Sequence, residues 1–482
     1  MTGRRGGTGP GGTLGGVLDP SSLQRALATA LATGGDFAEV FVEDKRISSA
    51  RLDDRRVEEL TSGRDRGAGI RVVVGDTTGF AHTSDLSEEG LRRAAEAAAA
   101  AARGGGGGAR TVALTASEAA SPYRARIAPE DVPKDRKVEL LLRADDAARS
   151  GPDRGAVVQV SAGYADSRRR IQVANSDGLM ASDEVVRTRF GVTAVARGDT
   201  GMQTGYEGVA RTMGFEIFDE LDVEQVARAA SARALAKLAA RPAPSGVVPV
   251  VIAAGRGAVL FHEACGHGLE ADHIEKQSSV YHGRVGEMVA SPHVTLVDDG
   301  TMGREWGAFA VDDEGRPSQR NVLIENGMLT EYMWDFLRAR KAGHATSGNG
   351  RRQSYQDLPM VRMTNTYLLG GTEDPEELVR QTPHGVYVAQ MGGGQVNTAT
   401  GDFVFGMTEA YLIEDGEVTV PLRDANLIGN GPEVLRHIDA VAGDFAMAGG
   451  GGMCGKNGQS VPVGMGQPTL RVTGITVGGT AA

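Results

Sequence analysis

The chain has 482 residues, 40% of them hydrophobic and 23% charged, enough for a sizeable core and for two or three domains. A formal net charge of −11 speaks against general nucleic-acid binding, which needs a basic surface to neutralise phosphates. Two cysteines exclude a disulfide framework and suit a reducing compartment, and no stretch reaches the roughly 20 apolar residues that cross a bilayer, so a cytoplasmic protein with no membrane contact is expected.

Residues 1–16 are glycine-rich and lack the apolar core of a secretory leader, so they read as a disordered tail. The block 17–108 reads as a small α/β unit. Residues 21–32 form a helix stopped by Gly34-Gly35, and 37–44 alternate as a strand. A hairpin follows around 75–78, then an alanine-rich helix over 87–103, and the glycine run 104–108 reads as a linker. The block 109–241 repeats the mixture, with helices over 138–149 and 223–239 and strands over 157–165, 171–174 and 185–196. A Pro/Gly/Ser mixture at 241–246 marks the next boundary. The last block, 242–482, opens with a strand over 247–254 and a helical entry, then becomes mostly β, with turns at Asn326-Gly327 and Asp415-Gly416. The expected class is α+β, with a mixed α/β N-terminal region followed by a β-rich C-terminal domain.

That helical entry carries His262-Glu263-Ala264-Cys265-Gly266-His267. Imidazoles are the usual zinc ligands, and a neighbouring glutamate is a ready general base. The histidines are five apart, where zincins place them four apart. Five steps of about 100° leave two side chains roughly 140° apart on a regular helix, too far to share one ion. One widened π turn restores the alignment, and Gly266 eases it, so a distorted turn is expected between Glu263 and His267.

Two histidines need a third ligand, since catalytic zinc usually has three protein ligands and one open position. Cys454 is a candidate, in a glycine-rich stretch over 449–458 that reads as a tight loop. Its rivals are Cys265, which a regular helix would place beside His262, and Glu270, Asp272, His273, His282 and His293. The glycine clusters match neither a P-loop nor a dinucleotide fingerprint, which argues against nucleotides.

Several segments together resemble the TldD/PmbA (TldD/TldE) peptidase family. The likeness runs from His262 through Glu270 and includes Gly348-Asn349-Gly350-Arg351-Arg352, Met363-Thr364-Asn365-Thr366-Tyr367, Gly392-Gly393-Gly394-Gln395-Val396, Glu409-Ala410-Tyr411-Leu412-Ile413 and Cys454-Gly455-Lys456. The resemblance implies that the C-terminal block is a metalloprotease domain. It implies Zn²⁺ held by His262, His267 and Cys454, with Glu263 as the catalytic base that activates the zinc-held water. It implies unstructured peptides or small unfolded proteins as substrates. It also implies a homologous TldE/PmbA-like partner in a heterodimer, or a homodimer. Two other classes stay open: a metal protein that captures peptides without cutting them, and a metal-dependent hydrolase of a non-peptide bond.

Overall fold

A computed structural model describes residues 16–102, 112–117, 119–151, 155–199 and 201–479. The expected linker 104–108, and all but the last residue of the expected tail 1–16, lie outside them.

Helix α1 (Pro20–Ala30) is capped by Asp19, whose side chain accepts from the Ser21 N–H, with Pro20 in the first turn. A long hairpin follows, β1 (Phe37–Asp53) and β2 (Arg56–Val74), and β3 (Thr77–Thr83) pairs with β2. The β1–β2 turn is Asp54-Arg55, with φ of 46° and 69° at two non-glycine residues. The strand expected over 37–44 is therefore the inner part of a much longer one. Residues 37–42 are buried apolar or paired, whereas the outer part of the ribbon is mostly polar or exposed, with Ala50 and Leu52 its buried apolar residues, so it carries little strand signal.

Helix α2 (Glu88–Ala101), capped by Ser87, and helix α3 (Lys134–Ala148) precede β4 (Val157–Asn175), β5 (Leu179–Gly198) and β6 (Gly201–Arg211). Strand β4 fuses the two strands expected over 157–165 and 171–174. The intervening Arg168, Arg169 and Arg170 stay in the ladder with β1. Carboxylates around them make this possible: Arg168 meets Glu130 and Glu184, and Arg169 meets Glu43 and Asp313.

Strands β1 and β4 are antiparallel neighbours, so β1 to β6 and the short strand Thr115–Ser117 form one sheet that crosses the expected 108/109 boundary. Helices α1 and α2 cover one part of it, and α3 packs with α4 (Val223–Leu238) over another.

The C-terminal part holds a barrel and a second sheet. In chain order the strands that frame the site are β7 (Gly246–Ile252), β8 (Leu296–Asp299), β9 (Asn365–Leu368), β10 (His384–Val396), β11 (Asp402–Glu414), β12 (Ala425–Asn430), β13 (Gly452–Lys456), β14 (Gln459–Gln467) and β15 (Leu470–Gly479). Pairing runs β10–β7–β15–β12–β11 and returns from β11 to β10, which closes a five-membered ring. Closure leaves no free edge in that ring. The second sheet contains β8, β9 and β14, with β9 and β14 parallel. Asn326-Gly327 and Asp415-Gly416 are left-handed at both positions, the turn their sequence calls for. The fold is α+β as expected. Phe261, Ala264 and Cys265 lie in one apolar core with barrel residues Val386, Phe403 and Phe405, so the barrel anchors the helical entry.

Candidate metal centre

Strand β7 passes through Gly255, at φ +71°, into a helical turn at Val259–Phe261. The next residues, His262–Gly266, form a π turn, and the N–H of His267 donates to the His262 carbonyl five residues back. This is the widened turn that the histidine spacing demands. It sets the two imidazoles with ring centroids 5.1 Å apart and planes at 81°. A Cβ at Gly266 would run into the Met363 thioether, so the close approach needs glycine there.

Cys454 arrives from the other end of the chain on β13. The stretch expected as a glycine loop is a β-hairpin, β13–β14, turned by Asn457-Gly458 at φ 49° and 77°. The Asn-Gly pair was a legible hairpin signal, obscured by the glycines before it. The buried guanidinium of Arg362 donates to the Cys454 carbonyl and ties the strand down. Cys454 Sγ then stands 3.3 Å from His267 Nε2. One ligand atom each from His262, His267 and Cys454 lies within 4.8 Å of the others, and all three residues are buried.

Burial by itself would raise the Cys454 thiol, but the adjacent imidazoles of His262 and His267 overrule it and hold it down to about 4. The sulfur is a thiolate at neutral pH, the form that binds metals. His267 Nδ1 faces Glu270 Oε2 at 3.0 Å, which orients the ring so that Nε2 points at the sulfur. Burial disfavours the charged forms of both partners; Lys456 and His267 nonetheless pull Glu270 down to about 2, and Glu270 and Cys454 hold His267 well above its ordinary value. Lys456 reaches Glu270 at 2.9 Å and Asp272 at 2.6 Å. It lies two residues beyond Cys454, hence on the same face of β13.

His262 supplies the test of fit. Among the described residues, neither of its ring nitrogens completes a hydrogen bond by geometry, although both are buried and the ring lies close enough to the Cys454 sulfur to act on it. A buried polar group left so costs about 1–3 kcal/mol. A metal ion between His262, His267 and Cys454 would give it a partner, and two imidazoles with a thiolate form a zinc-type donor set. Glu263, on the same turn, is only partly exposed, and its carboxylate lies 3.7 Å from His267 Nε2.

The rivals are placed otherwise. Cys265 donates its thiol to the Phe261 carbonyl at 2.9 Å, and burial pushes it up to about 12. Glu270, Asp272 and His273 cluster together, but the Lys456 ammonium already bonds two of them. His282 Nδ1 lies against the Ile274 carbonyl, and His293 donates its backbone N–H to Ser291. Sequence reasoning weighed Glu270 as a ligand and missed it as the residue that orients His267. The three-residue spacing from His267 was the available signal.

Three family descriptions match consecutive stretches: PmbA/TldA metallopeptidase domain 1 over 38–102, its central domain over 127–238 and its C-terminal domain over 245–479. A Haemophilus influenzae protein named "Metalloprotease TldD homolog" is 41% identical over 453 residues, covering 92% of this chain and 93% of the relative. A Saccharolobus solfataricus protein named "Zinc metalloprotease TldD homolog" is 27% identical over 448 residues, covering 92% and 97%. The crystal structure of TldE from Thermococcus kodakarensis has the same fold, with a TM-score of 0.73 at 24% identity over 92% of this chain and 97% of that one.

Proposed function

The chain belongs to the PmbA/TldA metallopeptidase family, and from that premise we propose that it is a zinc-dependent peptidase acting on unstructured peptides and small unfolded proteins. The observation that carries this reading is the meeting of His262, His267 and Cys454 around the unbonded ring nitrogens of His262. These three residues would hold the zinc. When bound, the ion supplies a Lewis acid that polarises the peptide carbonyl and acidifies water.

The chain's own residues do the rest. Glu263 takes the proton from the attacking water and hands it to the leaving amine, so the carboxylate ends each turnover as it began. Glu270 holds the His267 ring in place, and Lys456 keeps Glu270 ionised. An extended peptide suits the neighbourhood. Strand β13, which carries Cys454, pairs with β14 along one edge, and no strand among the described residues pairs with its other edge. Backbone pairing there would tolerate many sequences. The partner is a homologous TldE/PmbA-like chain or a second copy, a reading supported by the shared fold of a structure named TldE. Two reduced, buried cysteines fit the cytoplasm, and no helix among the described residues is long and apolar enough to cross a membrane.

The Glu263→Gln protein tests the reading. Zinc content measured by atomic emission should stay near that of the unchanged chain. Turnover of an unfolded peptide should fall about a hundredfold to ten-thousandfold, the usual worth of a general base. Undiminished cleavage would remove Glu263 from the chemistry, and tight peptide binding with no cleavage by the unchanged, zinc-loaded chain would leave a capture protein instead.

A further inference from the structure

Between the first sheet and the β13–β14 hairpin lies a cavity of about 240 Å³, walled in part by Val185, Trp306 and Phe309. Ile47 and Met453 also line it while remaining 50% and 52% exposed, which places them on its solvent side. Met453 pairs with Pro462, and Cys454 with Val461. Side chains alternate along a strand, so Met453 and Pro462 occupy the face opposite Cys454. The cavity is lined by none of His262, His267 and Cys454, but it adjoins the candidate metal centre through Val461, the partner of Cys454, and through Arg351, which bonds the Met363 carbonyl.

Four cations line this cavity with no carboxylate at ion-pair distance among the described residues: the exposed Arg189, and Arg187, Arg351 and Lys45. Arg187, 6% exposed, donates to the carbonyls of Trp306 at 2.8 Å and Ala308 at 3.1 Å, and its Nη1 has no acceptor. Arg351, 4% exposed, donates to the carbonyls of Met363 and Pro462. Lys45 makes neither a hydrogen bond nor an ion pair among the described residues, and Glu43 and Asp65 act on it only from beyond ion-pair distance.

The cavity's own carboxylates are engaged elsewhere. Asp183 accepts from the Ala310 N–H, and Asp312 from the N–H groups of Glu314, Arg316 and Gly350. Asp313 pairs with Arg169, and Asp166 with Lys137. Burial, reinforced by Arg351 and partly offset by Asp183 and Asp313, lowers Arg187 to about 9; burial, opposed by Asp313 and reinforced by Arg362, lowers Arg351 to about 10. Both remain cationic at neutral pH. Carbonyl dipoles, the Trp306 and Phe309 rings and more distant aspartates offset these charges in part, but no carboxylate pairs with either guanidinium, which favours an anion in the space between them.

We propose that this cavity binds an organic carboxylate with an apolar body, the carboxylate among Arg187, Arg351 and Lys45 and the hydrocarbon part against Trp306, Phe309 and Val185. The volume sits just below the roughly 300–1,000 Å³ usual for small-molecule pockets, which suits one residue-sized group rather than a long ligand. Two sources share that chemistry: the carboxyl terminus of a peptide ending in an apolar residue, and a small free acid.

Calorimetric titration of the zinc-loaded chain with N-acetyl-leucine and its amide, then with a leucine-ending pentapeptide and its amide, tests the site. At least one acid should bind at least tenfold tighter than its amide, and Arg187→Gln should abolish the preference while zinc content stays unchanged. If Arg187→Gln does not fold, Lys45→Gln serves, because that side chain holds no bond among the described residues. Its preference should fall at least threefold. Binding of the pentapeptide acid alone assigns a peptide terminus, and equal binding of N-acetyl-leucine assigns a free acid. Equal affinity for acids and amides, no binding at millimolar concentration, or a preference that survives the substitution would overturn the proposal.

Discussion

Where the first sheet meets the C-terminal part, Glu39 receives both Arg71 and Arg352, Glu43 and Asp313 share Arg169, and Glu314 meets Arg71 at 2.9 Å. At the candidate metal centre, His262 is buried as deeply, yet neither of its ring nitrogens completes a hydrogen bond among the described residues. In the first cluster every charged group meets an opposite charge from another part of the chain, although Arg71 Nε, Arg169 Nη2 and both Nε and Nη1 of Arg352 are left without acceptors among the described residues. The second brings one ligand atom each from two imidazoles and a thiol to within 4.8 Å of one another, a set that a metal ion would complete. Buried polarity alone therefore does not mark a metal centre here; what sets the second region apart is its donor set, two imidazoles and a thiol brought together, with one imidazole making no hydrogen bond among the described residues.

The sharpest way to break that contrast is to open the charge-paired cluster. Glu39→Gln leaves the fully buried Arg352 without its carboxylate and Arg71 with Glu314 alone. Removing one member of a buried pair typically costs about 3–5 kcal/mol, to be read by urea unfolding of the metal-free chain. A cost below about 1 kcal/mol would show that the cluster's charges do not depend on one another.

His262→Phe does the converse. It removes the unbonded nitrogens, so the metal-free chain should lose less than about 1 kcal/mol, since replacing an unsatisfied buried polar group by an apolar one is nearly neutral. Zinc affinity should drop on the order of a hundredfold to a thousandfold, one ligand's share of a structural-zinc binding energy of about 10–16 kcal/mol. Equal zinc content in both proteins by competitive chelation would detach His262 from the metal.

A smaller effect exposes the soft point of the charge-paired cluster. Burial raises Glu314, Asp335 and Glu39 add to it, and Arg71 only partly offsets it, leaving the carboxyl at about 7. Its ordinary value is 4.5, so between pH 4.5 and 7 the folded chain holds a proton that the unfolded chain has released. Stability of the metal-free chain should decline as pH rises through that window, by at most about 3 kcal/mol, and Glu314→Gln should flatten this part of the profile. An unchanged profile in the variant would assign the slope to other groups.

Legibility tracked how local each feature is. The π turn followed from a five-residue spacing and the geometry of one helix, and the hairpins at 326–327 and 415–416 followed from two-residue turns. The hairpin that carries Cys454 had the same signal at Asn457-Gly458, masked by the glycines before it. The outer part of the β1–β2 ribbon was invisible because buried Ala50 and Leu52 are too few among polar residues and the exposed Ile47, Val57 and Leu60 to set a sustained period. The charged middle of β4 read as a break because the carboxylates that hold it in the sheet come from Glu43, Glu130, Glu184 and Asp313.

By itself the sequence determined the chemistry available at the helical entry: two imidazoles, a base beside them, and a backbone obliged to widen so that both rings face one way. Periodicity and turn residues act over a few positions, and that was enough. Only the tertiary structure decided which sulfur joins them, because Cys265 and Cys454 differ in where they are carried rather than in what they are. Cys265 faces the barrel core and bonds its own turn, whereas Cys454 is delivered from 187 residues away by a hairpin pinned through Arg362. The matched charges of Glu39 and the unmatched ones of Arg187 were decided in the same way, since pairing is set by distances that only the packed chain defines.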